Sequence, residues 1–227
     1  MNSLQNTGRI TGILLLFVFV SGVVVFQVLQ GPYLFSDNFL SSAFANANSI
    51  VSSTVLGIAS GIISIVISVV VFPIFKEYSI RLGLLYIAFC ILNFISIMID
   101  NVSVISMLEL SKEFVEKGND DTLKVFKNLV YQRHFWTHYF YLLISCFPVF
   151  VFYYGLYVTK VVPRVISIFG LIAVVIMFVE ELSSIYGNSI SMNMLLPIGL
   201  VQLLLPLWLL VKGFKPCKKE KIKELYR

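Results

Sequence analysis

The chain has 227 residues, 58% of them hydrophobic and 13% charged, with a mean hydropathy of +0.91, which excludes an ordinary soluble domain. Its net charge of +5 arises from Lys212 onward, where the segment to Arg227 holds seven of the 17 basic residues and two of the 12 acidic ones, leaving ten of each sign elsewhere. No basic stripe interleaved with aromatics occurs before that tail, so no nucleic-acid partner is expected. Cys90, Cys146 and Cys217 have neither the number nor the spacing of a disulfide framework or a metal centre.

A bilayer core of about 30 Å needs roughly 20 apolar residues per helix, so the length accommodates six spans joined by short connections. The expected fold class is therefore all-α, a polytopic transmembrane bundle forming one integral membrane domain. The first span covers 10–29, behind Arg9. A cleaved signal peptide is the alternative, because Ala43-Phe44-Ala45 resembles a cleavage site, but that site lies about fifteen residues past the apolar run. The run is read as an anchor. Gln30 to Asn48 is expected to be a loop rich in Ser and Asn, without Lys or Arg.

The second span, 50–75, carries Gly57-x-x-x-Gly61 and then Ser60, Ser64 and Ser68. Small residues on one side of a helix let backbones approach closely in lipid, so this is read as a packing seam. Pro73 sits near the inner end, where a lost hydrogen bond costs little. The third span, 82–108, follows the basic turn Lys76–Arg81 and reaches the far interface near Asp100. Its helical pattern continues through Glu109, Lys112, Glu113, Glu116 and Lys117, which offer i,i+3 and i,i+4 charge pairs. Gly118-Asn119 stops it and Asp120 is a good N-cap for the next helix. Spans three and four should thus project beyond the bilayer as a helical hairpin, with Leu123, Phe126 and Val130 packing on Leu110 and Phe114.

The fourth span, 135–157, contains Pro148 as an expected kink. The fifth, 165–186, ends at Gly187-Asn188, and the sixth, 194–211, is interrupted by Pro197 and Pro206. Residues 212–227 form a basic tail expected to lie against anionic lipid headgroups. Arg9, Lys76, Arg81, Lys160, Arg164 and the tail share one side, and the positive-inside rule makes that side cytoplasmic, with both termini in it.

Ionisable groups inside a membrane are costly, so each is a functional candidate. Counting rises of 1.5 Å per residue puts Glu180 and Glu181 about 24 Å beyond Arg164, in the outer third of the bilayer. Asp100, His134, His138, Gln27 and Gln202 fall on the same outward side, and Asn93 lies near the middle. The candidate binding residues are therefore His134, His138, Glu180, Asp100, Gln202 and Asn93, grouped around span four. Spaced i,i+4, the two histidines share a helix face and could hold a metal with Glu180 or Asp100. The His-x-x-x-His pair lacks the Glu of a zincin. With Trp136 and Tyr139 beside it, it reads first as an interfacial aromatic belt in which His134 is wet and His138 hydrogen-bonded. Glu180 is expected to face the bundle on a strip with Phe169, Ala173, Ile176 and Ser184, pairing with His138 or Arg133, while Glu181 turns to headgroups or a neighbouring helix. Two histidines one turn apart cannot ligate a haem from opposite faces. No glycine-rich phosphate loop and no Ser–His–Asp order is present. No cofactor, resident metal or catalytic residue is assigned.

Several motifs point further. Gly8-Arg9-Ile10-Thr11-Gly12-Ile13 opens the first span, Arg81-Leu82-Gly83 the third, and Leu110-Ser111-Lys112-Glu113-Phe114 follows it. Tyr153-Tyr154-Gly155-Leu156-Tyr157 leads to Val162-Pro163-Arg164-Val165-Ile166-Ser167, then Gly170-Leu171-Ile172. Leu196-Pro197-Ile198-Gly199-Leu200 leads to Leu207-Trp208-Leu209-Leu210-Val211-Lys212-Gly213-Phe214. From about Arg9 to Phe214 the chain resembles the bacterial six-span membrane family known as the domain of unknown function numbered 4386. The resemblance implies six helices and a bacterial inner membrane, and it brings no activity, ligand or catalytic residue. Members often have an Arg and a Glu in the third span, where this chain has Cys90 and Asn93, so no role for that pair carries over.

The leading expectation is a non-enzymatic protein that binds a small molecule, lipid or protein partner at the outward half of the bundle. The alternative is an intramembrane metal-dependent hydrolase using His134, His138 and Glu180. A structural subunit of a larger complex is the third option.

Overall fold

The computed structural model describes residues 3–36, 38–118, 121–188 and 192–216. It is helical throughout: α1 (Ser3–Val24) runs through a π-helical turn, Val25–Gln30, into α2 (Gly31–Leu34). Then come α3 (Phe39–Ala45), α4 (Ala47–Tyr78), α5 (Ile80–Glu116), α6 (Asp121–Thr159) and α7 (Arg164–Ile185). A short 3-10 turn, Met192–Leu195, leads into α8 (Leu196–Lys212). Six helices are long and apolar enough to cross a membrane, matching the six expected spans. Only a helix can satisfy every backbone N–H and C=O within a lipid-exposed segment, and Ser60, Ser64 and Thr159 return their hydroxyls to carbonyls four residues back for the same reason.

The long helices form a closed ring. Each packs on its neighbour in the order α4, α5, α6, α7, α8, and α1 completes the circuit by lying against both α8 and α4. The expected seam on α4 faces α5: a Cβ on Gly61 would sit 3.3 Å from Ile97 Cδ1 and press on the Phe94 ring. At the end carrying the termini, Gly8 lies against the backbone of Gly213 and Phe214, and the Lys215 N–H donates to Val161 O at 2.8 Å. Phe75, Tyr86 and Phe152 cluster at that same end.

The structure departs from expectation in three places, the first two at the opposite end. The segment from Gln30 to Asn48 is folded, not a loop: α2 and α3 bury Leu34, Phe39 and Leu40 against Val104, Met107 and Leu108 of α5. Ser111 anchors it, donating to Leu40 O at 2.7 Å and accepting from the Phe44 N–H at 2.8 Å. The α5–α6 hairpin exists, with Gly118 at φ 69°, and Leu123 and Val130 pack where Leu110 and Phe114 lie. Phe126, however, stays half exposed, while Tyr131 packs on Phe39 of the folded segment. Finally, neither proline interrupts the last span, since Pro197 occupies the first turn of α8 and Pro206 lies within the continuous helix. Asn119, Asp120, Cys217 and most of the basic tail lie outside the described residues.

Candidate functional site

Asp100 lies on α5, between four and five turns short of its end at Glu116, and His134 and His138 lie on α6, which runs back antiparallel beside it. The i,i+4 spacing puts both imidazoles on one face of α6, and the packing of α5 turns that face toward Asp100. His134 Nδ1 is 3.4 Å from Asp100 Oδ1, and His138 Nδ1 is 3.5 Å from Asp100 Oδ2. One ligand atom from each of the three residues lies within 4.8 Å of the other two.

Two hydroxyls complete the group. Thr137 Oγ1 lies 3.0 Å from Asp100 Oδ1 and 2.7 Å from Ser103 Oγ, and Ser103 Oγ lies 3.0 Å from His134 Nδ1. Ser103 also reaches its own helix at Asp100 O, 2.7 Å away. These are more contacts than two hydroxyl protons can serve at once, so the protons are shared across a network that ties α5 to α6. His134 is 2% exposed, and its Nε2 is buried with no hydrogen-bond partner among the described residues.

The roof comes from the first span. The π-helical turn and α2 carry Phe26 and Phe35 over the histidines: Phe26 stacks on His138 with ring centroids 5.9 Å apart, and Phe35 on His134 at 5.7 Å. The two phenylalanines touch each other at 5.6 Å. An extra residue in a helical turn re-aims the side chains beyond it, and such turns recur at functional sites.

The structure therefore unites three of the six expected residues. Glu180 stands apart on α7, where its Oε1 accepts from Ser184 at 3.2 Å; it pairs with neither His138 nor Arg133. The strip reading of α7 holds for Ala173 and Ser184, and of the two alternatives for Glu181, headgroups or a neighbouring helix, its burial selects the helix. Both glutamates are buried, because α7 is flanked by α6 and α8. Gln202 is half-buried on α8, and Asn93 lies about 10 Å down α5 from Asp100; no hydrogen bond links either to the group. The histidines are also reversed in exposure: His134 is the enclosed one and His138, with 22% of its side chain exposed, the open one. Phe35 covers His134, which no local pattern announces.

Ser103 and Thr137 escaped the sequence reading although their spacing carried a signal. Ser103 is one turn from Asp100, and Thr137 is one turn from His134, so each lies on the face of the residue it supports. Phe26 and Phe35 left no such signal.

A family model described as a domain of unknown function (DUF4386) matches residues 10–213. No curated protein and no solved structure matches the chain.

Proposed function

The chain belongs to this family, and from that premise we propose that it is a non-enzymatic multi-pass protein of the bacterial inner membrane, with a ligand-binding site in the outward half of its bundle. The observation that carries the reading is the convergence of Asp100, His134 and His138 from two helices beneath Phe26 and Phe35. A buried carboxylate and two imidazoles cost desolvation, and a bundle held by apolar packing has no need of them for stability alone. Sidedness follows from charge. Arg9, Lys76, Arg81, Lys160 and Arg164 lie at the end of the bundle carrying the termini, and the site lies at the other, so the site opens outward. Binding is favoured over hydrolysis because Glu180, the carboxylate a metal-dependent hydrolase would have used, is engaged with Ser184 outside the group.

His138 is the exposed member, and it provides the test. In a chain with Cys90, Cys146 and Cys217 replaced by Ala, His138→Cys should be modified by a charged, membrane-impermeant thiol reagent added outside intact cells. Modification only after the inner face is opened would overturn the reading.

A further inference from the structure

We propose that Asp100, His134 and His138 together hold one divalent transition-metal ion of the zinc class; this names the ligand of the site above and rests on that reading.

The distances separate a metal cluster from a plain hydrogen-bonded one. N–H···O bonds cluster near 2.9–3.0 Å, and bonds to a carboxylate run shorter. The two imidazole–carboxylate contacts are 3.4 and 3.5 Å, too long for good bonds of that kind. Tetrahedral ligands at about 2.0–2.1 Å from an ion are separated by about 3.3 Å. The contacts match the edge of a coordination polyhedron better than they match a hydrogen bond.

The ligand atoms are also held where an ion would need them. His134 is 2% exposed, with Phe35 across the face of its ring, so its Nδ1 stays turned toward Asp100. Ser103 Oγ, 3.0 Å from that nitrogen, can turn to Thr137 Oγ1 or Asp100 O when the lone pair goes to an ion. Thr137, donating toward Asp100, orients the carboxylate as the partners of metal-ligating groups do.

The donor set selects the ion. Magnesium and calcium take oxygen ligands, and calcium needs six to eight of them. Imidazole suits zinc, copper, nickel and ferrous iron, and two imidazoles with one carboxylate and an open position make a recurrent zinc site. Three protein ligands leave a further coordination position on the ion, and His138, the exposed ligand, marks the side from which a metal would arrive.

Purified full-length protein, stripped with chelator and titrated with cobalt(II), should take up one ion per chain with the visible bands of a low-coordinate site, and zinc should displace it. His138→Ala and Asp100→Asn should each weaken cobalt binding by about 100-fold. His138→Cys, which keeps a ligand atom, should retain zinc and add a thiolate-to-cobalt band in the near ultraviolet, and this variant decides the matter if the alanine variant does not fold. Uptake below about 0.2 ion per chain by the unmodified protein overturns the metal assignment, as does uptake that His138→Ala leaves unchanged. Outside labelling of His138→Cys without cobalt binding would sink the metal assignment and leave the outward site standing. Absence of outside labelling sinks the outward site, whatever the cobalt result.

Discussion

The Thr137 hydroxyl meets the Asp100 carboxylate across the α5–α6 interface at 3.0 Å, one helix turn from the Ser103 hydroxyl that touches both Thr137 and His134. Thr137→Val keeps the shape and removes the proton donor. The substitution should cost about 1–2 kcal/mol, because the buried carboxylate oxygen loses its shortest hydrogen bond and keeps only the longer contacts from Ser103 and His134. Thermal unfolding in mild detergent should show a lower midpoint, and Thr137→Ser should restore most of it. An unchanged midpoint for valine would mean the carboxylate is satisfied in some other way.

The ring of helices closes where α1 crosses α8. A Cβ on Gly8 would run into the backbone of Phe214 and Gly213, which cannot swing aside as a side chain can. Gly8→Ala should therefore destabilise by about 1–3 kcal/mol, in the range of overpacked cores. Gly22→Ala on the same helix meets nothing within 4 Å and should be neutral. Equal behaviour of the two variants in a denaturation assay would show that the α1–α8 crossing does not hold the bundle together.

Ser111 makes two hydrogen bonds that tie the folded segment after α2 to α5. Ser111→Ala strands the Phe44 N–H and the Leu40 carbonyl near a core containing Phe39 and Met107. A loss of about 1–3 kcal/mol is expected. The segment carrying Phe35 should loosen first, so limited proteolysis near Ser36 should accelerate before global unfolding does. Cleavage at the unmodified rate would show that Ser111 is dispensable.

On α7 the two oxygens of Glu181 are buried with no hydrogen-bond partner among the described residues, and Glu180 Oε2 is likewise unpartnered. Replacing an unsatisfied buried acid by an apolar residue of similar shape is neutral or stabilising. Glu181→Met should raise the unfolding midpoint. A fall of several degrees would indicate that the carboxylate meets a proton or cation that the fold requires.

Much of this was legible along the chain. The six spans, the hairpin tip at Gly118 and the shared face of His134 and His138 are local properties, set by apolar run length, by a glycine able to take positive φ, and by the 3.6-residue period. The identity of the carboxylate facing those histidines is not local. Asp100 and Glu180 were equally eligible by depth, and the choice depends on how α5 and α7 are rotated about their own axes against α6. In water an amphipathic stripe would announce that rotation, but a membrane helix is apolar on the lipid side and on the packed side alike. The rotation is settled by close contacts such as Gly61 under Phe94 and Gly170 against Tyr153, which exist only once the helices have met. For the same reason Phe26 and Phe35 reach the histidines through a π-helical turn and a folded-back segment whose composition reads as loop. The inventory of polar groups belongs to the sequence, and their meeting belongs to the tertiary structure, because lipid does not distinguish the faces of a helix and neighbouring side chains do.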